Sequence, residues 1–536
     1  MNNSEYNFFN FDSDDCTSRG VCTLSPGIVS LQELVLHFIK LASFYVVKLS
    51  DFGLHNHKIE DEIINDIASL IYINEYSEKQ VYELAMRCYY IFSNSKNRYK
   101  FECSQKNIVL DRIDEFIDFD ENYSMAKSIS LGDILVRRLY NRISTENRNI
   151  SNILFTVLKS ACQNISKLFD FNIRDEVAVS DVLNLLGKWH LVENDKIILT
   201  EFVNSLSILD SRIQLKIANA LFSNFGEISD VMVSHSSRKG KCILVSGNNF
   251  NDLINVLEIT KDKDIDIYTH AGLLISHSLE KFKHYPNLKG HYGKSSENCI
   301  VDYGTFPGAI LLTKNSKNNT EYLYRGKIFS NDYITPQGVI KIENNDYRPL
   351  VESAISSVGF KKGRQKPDTD LGFNNEDLEI LFNKLLERLE SGKIRRLYIV
   401  GINSFSDVQK EYFNIFFENI RSDEFALSFY YDSKKNNVVT INIGNYVPLA
   451  TYVLSKLLSC RKYLDKMFFI FPTCDATSIS GVIKLKNIGV NNIYIASCSP
   501  KVINPSVFAT FKNKYNIIVS SNPLNDLKQM RKNTSQ

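Results

Sequence analysis

Over roughly its first 230 residues the chain repeats apolar positions at three- and four-residue spacing. The stretches 31–47, 60–73, 79–92, 150–168 and 199–225 carry the pattern most clearly. That period places the apolar side chains on one helical face, so the spacing predicts long helices joined by polar connections, as in a bundle. The pattern changes after the polar stretch 235–241. Short apolar runs at 242–246, 265–268, 309–312 and 327–329 then alternate with helical stretches at 250–258 and 273–282. A second polar connector, 361–370, precedes a clearer version of the same rhythm. Strands are expected at 396–400, 426–430, 438–443, 467–471, 491–496 and 516–519, with helices at 376–389, 408–420, 446–458 and 478–488. Strand–helix alternation of this kind builds open, mostly parallel sheets. The expected layout is an N-terminal loop over 1–25, a helical bundle over 26–234, and two open α/β domains over 242–360 and 371–536.

Composition narrows the class without naming a chemistry. Apolar residues make up 44% of the 536 and charged residues 23%, which is ordinary for a folded chain. A formal net charge of +2 gives no electrostatic case for nucleic acid or an anionic membrane. The cluster Lys361, Lys362, Arg364 and Lys366 reads as a solvated linker. The most apolar stretch, 31–48, is interrupted by His37, Lys40 and Lys48, so it is expected to be a buried helix. The first fifteen residues are acidic and lack the basic start and apolar core of a signal peptide, which makes the cytoplasm the expected location. Of ten cysteines only Cys16 and Cys22 lie close together. The others, Cys474 and Cys498 among them, are expected as single, reduced, mostly buried thiols.

Four familiar chemical signatures fail on inspection. A Walker loop ending at Gly293, Lys294 and Ser295 needs a glycine where Leu288 stands. Gly401 follows an expected strand, yet residues 402–406 supply no further glycine to admit a pyrophosphate. His270, His277, His284 and His291 recur every seven residues, but Pro286 and Gly290 interrupt any continuous helix that would stack them. They read as separate structural or surface histidines, and no metal site is expected from them. No serine stands in a recognisable nucleophile elbow.

What carries information is a series of ordered segments. GVCTLSPGIVSLQELVLHFIKLASFY (20–45) is followed by ILVSGNNFNDLINVLEIT, DIYTHAGLL, HYPNLKGHYG, FPGAILLTKNS and YRGKIFSNDYITPQGVIKI. LGFNNEDLEILFNKLLERLESGKIRRLYIVG and LKNIGVNNIYIASCSPKVINPSVFATFKNKYNI then complete it. In this order they resemble the hybrid-cluster-protein (prismane, hydroxylamine reductase) family, and the match is nearly continuous from Cys242 onward. The resemblance implies a prismane-like fold whose two α/β domains are Rossmann-like. It also implies two metal centres: a [4Fe-4S] cubane on four N-terminal cysteines, and a hybrid iron–sulfur–oxygen cluster held by a histidine, two glutamates and four cysteines. The activity implied is reduction of hydroxylamine to ammonia, with nitric oxide reduction and protein S-nitrosylation also attributed to the family.

Carried over residue by residue, the ligands are missing. Cys16 and Cys22 match the second cysteine pair of the cubane loop, but the first pair would fall where Ser4, Glu5, Tyr6 and Asn7 stand. The histidine after SG is Asn248, and the glutamate of YTHGE is Gly272. The cysteine of TTNC is Ser316, and the persulfide cysteine of VGGCDG is Asn403. The cysteines of TLGCGKY and GQCND are Tyr431 and Tyr446. Only Asp475, at the glutamate of WYEQK, keeps a ligand-type side chain. Iron–sulfur centres need soft anionic thiolates, which asparagine, glycine, serine and tyrosine do not replace. No catalytic residue, metal or cofactor is therefore expected, with Cys16 and Cys22 as a remnant of the N-terminal cluster motif. Tyr430, Tyr431 and Tyr446 are expected to fill the vacated space. The functional expectation is a cluster-free, catalytically inactive homologue with a scaffold or binding role. The alternative is a hydroxylamine or nitric oxide reductase using a rearranged centre on Cys16, Cys22, Cys474 and Asp475. A protein partner is conceivable on the first reading, though the sequence names none; neither nucleic acid nor membrane is expected.

Overall fold

The structure, a computed structural model, describes residues 24–293, 299–314, 326–332, 334–335, 338–402, 409–459, 461–499 and 502–533. Residues 24–230 form a helical assembly. It comprises α1 (Pro26–Ser50), α2 (His57–Ser69), α3 (Glu78–Lys106), α4 (Met125–Arg142), α5 (Thr145–Asp170), α6 (Glu176–Val192) and α7 (Lys196–Phe225). Their starts are written locally. The side chains of Ser25, Ser77, Ser124, Ser144, Asp175 and Asp195 each accept a bond from a backbone amide of the first turn, and Ser77 with Gln80 makes a reciprocal capping box. Two of these helices, α4 and α6, were not among the stretches picked out by periodicity. Helix α1 is long and apolar enough to cross a bilayer by composition, but 67% of its most apolar window is buried inside the protein. It packs against α3, α4 and α6 as a core helix.

Two six-stranded sheets follow. The first contains β2 (Lys241–Ser246), β3 (Ile265–His270), β4 (Leu288–His291), β5 (Ala309–Leu312), β6 (Ile328–Ser330) and β7 (Ile340–Lys341), in the order β4-β3-β2-β5-β6-β7. The second contains β9 (Arg396–Val400), β10 (Glu424–Ser428), β11 (Val438–Thr440), β12 (Met467–Phe471), β13 (Ile493–Ile495) and β14 (Ile518–Val519), in the order β11-β10-β9-β12-β13-β14. Every pairing within both sheets is parallel. The central strands are buried throughout, which explains their unbroken apolar runs. In each sheet the third strand added on one side gives way to a jump across the first, so the winding reverses between β2 and β5 and again between β9 and β12. At such a reversal neighbouring connections diverge and leave a crevice beyond the carboxyl ends of the strands.

The two polar connectors are not loose linkers. β1 (Val231–Val233) pairs antiparallel with β8 (Thr369–Leu371). Ser237 and Arg364 exchange both backbone hydrogen bonds at 2.9 and 2.8 Å, as do Gly240 and Phe360 at 3.1 and 2.8 Å. Polar side chains signalled exposure correctly over most of 361–370 but not at the buried Ser237, and the backbone amides, invisible to a hydropathy pattern, found partners in each other. The stretch expected as a helix over 273–282 is two 3-10 turns, Ala271–Ser278 and Glu280–His284. Its start is constrained by Ala271, whose φ of 56° lies in the left-handed region.

The last quarter of the chain returns to the helical assembly. Asp210 of α7 accepts from Ser160 and Asn164 of α5 and from Ser480 of α14 (Ala476–Asn487). Asn149 of α5 donates to Ser506 and Thr510 of α15 (Pro505–Lys514). A single apolar core runs through the helices and one face of each sheet.

Candidate functional site

The positions singled out by resemblance share one topological address. Asn248 lies two residues beyond β2, Gly272 two beyond β3, Tyr431 three beyond β10, Tyr446 six beyond β11 and Asp475 four beyond β12. All are therefore at carboxyl ends of parallel strands, around the winding reversals where such sheets bind ligands. Cys16, Cys22, Ser316 and Asn403 lie outside the described residues.

Three of the five described positions meet. The Asn248 carboxamide lies directly over Gly272, where a side chain on that glycine would have to begin. Asn248 and Tyr446 line one small cavity of about 10 Å³ together with Lys167, Asp170 and Phe250. That volume holds about one water molecule. Tyr446 sits at the start of α13 (Val447–Leu457), where a polar cap is usual, yet its side chain makes no cap. The ring instead is 2% exposed and stands edge-on to Phe250 at 5.4 Å. Burial pushes its hydroxyl far above the ordinary phenol range. Asp170, on the wall, is raised by burial against the opposing pull of Lys314, whose Nζ lies 3.1 Å away.

The other two positions go elsewhere. Tyr431 stacks on Phe413 of α12 (Lys410–Glu418) at 4.3 Å and 25°, within a second apolar cluster that also holds Tyr398 and Phe416. Tyr430 packs edge-on against Tyr431 at 5.2 Å. Of the three tyrosines expected in the vacated space, Tyr446 lines the cavity beside Asn248, whereas Tyr430 and Tyr431 pack in the cluster with α12. Asp475 caps α14, accepting from the Ser478 amide at 2.8 Å and facing Thr473 Oγ1 at 3.4 Å. The one remaining ligand-type residue thus has a structural task.

These residues do not fit an iron–sulfur centre. Asn248 and Tyr446 offer the cavity an amide and a protonated phenol, and Gly272, outside its lining, has no donor to give; Asp170 adds one carboxylate, and no thiolate or imidazole is among the described lining residues.

The histidines divide in the same manner. Thr269 Oγ1 lies 2.9 Å from His277 Nε2 and 2.9 Å from His291 Nδ1, and His291 stacks on His270 at 6.2 Å. Sheet register brings His270 and His291 together, the 3-10 turn after β3 returns His277 to Thr269, and His284 is exposed and apart. Burial lowers His277 to about 4 and holds His291 well below its usual range. His270 links Asp302, at 3.4 Å, to Ser246 Oγ at 2.8 Å, and Ser246 meets the Tyr303 hydroxyl at 2.7 Å. With Ser246 only 1% exposed, this chain of bonds holds the sheet mouth together and offers no accessible nucleophile.

Sequence reasoning missed a pair of thiols. Cys474 and Cys498 are bonded to each other, correcting the expectation of single reduced cysteines. The signal was available: their separation of 24 residues equals one strand–helix–strand unit. In the helical assembly, a cavity of about 100 Å³ beside Trp189 and Lys40 includes Glu33, whose carboxyl burial pushes up to about 7.

The Prismane/CO dehydrogenase family model matches residues 12–429. The chain is 26% identical over 319 residues to a hydroxylamine reductase of Solidesulfovibrio magneticus, covering 57% of this chain and 59% of that one. It is 23% identical over 540 residues to a hydroxylamine reductase of Gloeothece citriformis, covering 96% of each. Against a hydroxylamine reductase of Methanocella arvoryzae it is 22% identical over 549 residues, covering 96% of this chain and 97% of that one.

Proposed function

Because the chain belongs to the Prismane/CO dehydrogenase family, we propose that it is a hybrid-cluster-protein homologue that keeps the scaffold, carries no iron–sulfur centre and works by binding rather than by reductase chemistry. One observation carries this reading: Asn248 and Tyr446, which the resemblance puts at ligand positions, line a space of only about 10 Å³, and Gly272 lies against Asn248 outside that lining. A multi-iron cluster needs far more room than that, and four or more anionic donors. Filling it with a tyrosine ring is the low-cost answer to a lost cofactor, since an empty, polar-walled hole would destabilise the junction. The sheets on this reading are two Rossmann-like units over 242–360 and 371–536, and the helical bundle spans 26–234.

A second reading, a reductase with a rearranged centre, draws on Cys474 and Asp475 as neighbours at the head of α14. One preparation separates the two. The full-length protein is purified without oxygen, assayed for iron and acid-labile sulfide, and its visible spectrum recorded before and after reconstitution with iron and sulfide. A colourless protein with substoichiometric iron that does not reduce hydroxylamine with a reduced viologen donor supports the cluster-free reading. Several irons per chain with matching sulfide, or turnover of hydroxylamine, overturn it.

A further inference from the structure

The register of the second sheet builds a site that none of the family's ligand positions supplies. Phe471 of β12 pairs with Ile495 of β13, and Cys474 and Cys498 each stand three residues farther along. Equal offsets from paired residues on parallel strands bring the two backbones side by side, with Cα atoms 4.9 Å apart. That spacing lies inside the range a disulfide spans without moving the backbone. The sheet thus performs the ordering that otherwise opposes the closing of a 24-residue loop.

The surroundings differ from those of the four buried thiols; Cys299, the fifth described thiol outside this pair, is half-buried. Cys88, Cys103, Cys162 and Cys242 are buried and outside any disulfide. Burial raises Cys88 and Cys162 well above the ordinary thiol range and Cys242 up to about 12, so these sulfurs stay protonated and inert. Cys474 is 8% exposed and immediately precedes the cap of the 12-residue helix α14, whose amide end favours a thiolate. Cys498 is the more open of the two and lies in the loop after β13. One sulfur is reachable from solvent and the other is held beside it, the arrangement that thiol–disulfide exchange requires.

We infer that Cys474 and Cys498 form a reversible dithiol–disulfide site that exchanges with low-molecular-weight disulfides. The Cys498 thiolate attacks one sulfur of the incoming disulfide, forms a mixed disulfide and releases one small thiolate. Cys474 then attacks the Cys498 sulfur, closes the protein disulfide and releases the second. The protein dithiol loses two electrons and two protons, and one small disulfide becomes two small thiols. A reduced dithiol in excess runs the sequence backward. The inference rests on sheet register and holds whether or not the proposed loss of the clusters is correct.

The test is a redox titration of the intact, folded chain in glutathione buffers of stepped reduced-to-oxidised ratio. Samples are quenched in acid, alkylated and mapped by peptide mass. A peptide linking Cys474 to Cys498 should grow as the oxidised fraction rises and vanish when dithiothreitol is added without denaturant, with Cys162→Ser giving the same curve. Cys474→Ser should trap glutathione on Cys498. Two outcomes would overturn the site: both cysteines alkylated at every ratio, or a linked peptide that survives excess dithiothreitol in the native state. The wild-type curve decides the matter even if a variant folds poorly, and iron content measured on the same sample tests the cluster-free reading separately.

Discussion

The side-chain carboxamide of Asn248 occupies the space in which a Cβ on Gly272 would have to be placed. Two loops, following β2 and β3, therefore approach each other more closely than side chains at both positions would allow. The relationship is steric: glycine on one side makes room for the amide on the other.

That coupling is measurable. Gly272→Ala should cost about 1 kcal/mol, a modest penalty because the end of a single side chain can rotate away. Asn248→Ala in the same chain should recover most of that loss, giving a double-mutant coupling energy of about 0.5–1 kcal/mol by denaturant unfolding. Strict additivity of the two changes would show that the loops do not meet as described.

Asp210 is fully buried and accepts from Ser160 at 2.8 Å, Asn164 at 2.7 Å and Ser480 at 2.6 Å, while burial raises its pKa above the ordinary carboxylate value. Asp210→Ala strands three donors and should lower stability by about 3 kcal/mol. Ser480→Ala removes one bond and should cost about 1 kcal/mol. The pair should be less than additive, because Ser480 has nothing left to donate to once the carboxylate is gone.

His277 supplies a pH dependence with a definite sign. Its folded value, lowered by burial to about 4, lies below the ordinary 6.5. The unfolded chain therefore takes up a proton first as the pH falls. The stability contributed by this residue is complete above about 6.5 and declines as the pH drops toward 4. His277→Gln should flatten that limb of the stability curve by about 2 kcal/mol. His37, also lowered to about 4, keeps part of the decline in place. Asp252 acts in the opposite direction: burial pushes it up to about 6, so the native state gains its proton first and is relatively stabilised below that pH.

Asp475 separates a cap from a ligand. Asp475→Asn preserves an acceptor for the Ser478 amide and should leave thermal stability nearly unchanged, whereas Asp475→Ala should cost about 1 kcal/mol. Neither change should alter iron content. Loss of bound iron in Asp475→Asn without loss of stability would move this carboxylate from capping to coordination.

The sheets were legible because their central strands are buried on both faces and so read as unbroken apolar runs between helical stretches. Strands β9, β10 and β12 fall almost where periodicity places them. Helix α4 was missed because its apolar stripe is short and only Ser128, Leu131, Gly132 and Leu135 are buried. The β1–β8 pairing was missed because three-residue strands carry too few positions to show a period. At the site, the residue type at each position was readable one at a time, but orientation was not. Tyr431 and Tyr446 both follow parallel strands, yet one ring packs on Phe413 of α12 and the other on Phe250, a difference set by tertiary packing that a linear pattern does not carry. Cys474 and Cys498 were overlooked because adjacency was sought along the chain, when the relevant neighbour was one crossover away.

The bonds from Asn149 to Ser506 and Thr510, and from Asp210 to Ser480, bind the second half of the chain to the first across 357, 361 and 270 residues. A ribosome therefore finishes the helices long before their partners exist. Until α14 and α15 emerge, the flank of α5 and α7 stays wet and sticky, a surface for chaperones to mask and proteases to find. Nonsense truncations that fall before α14 should be cleared from cells and not accumulate as shortened proteins.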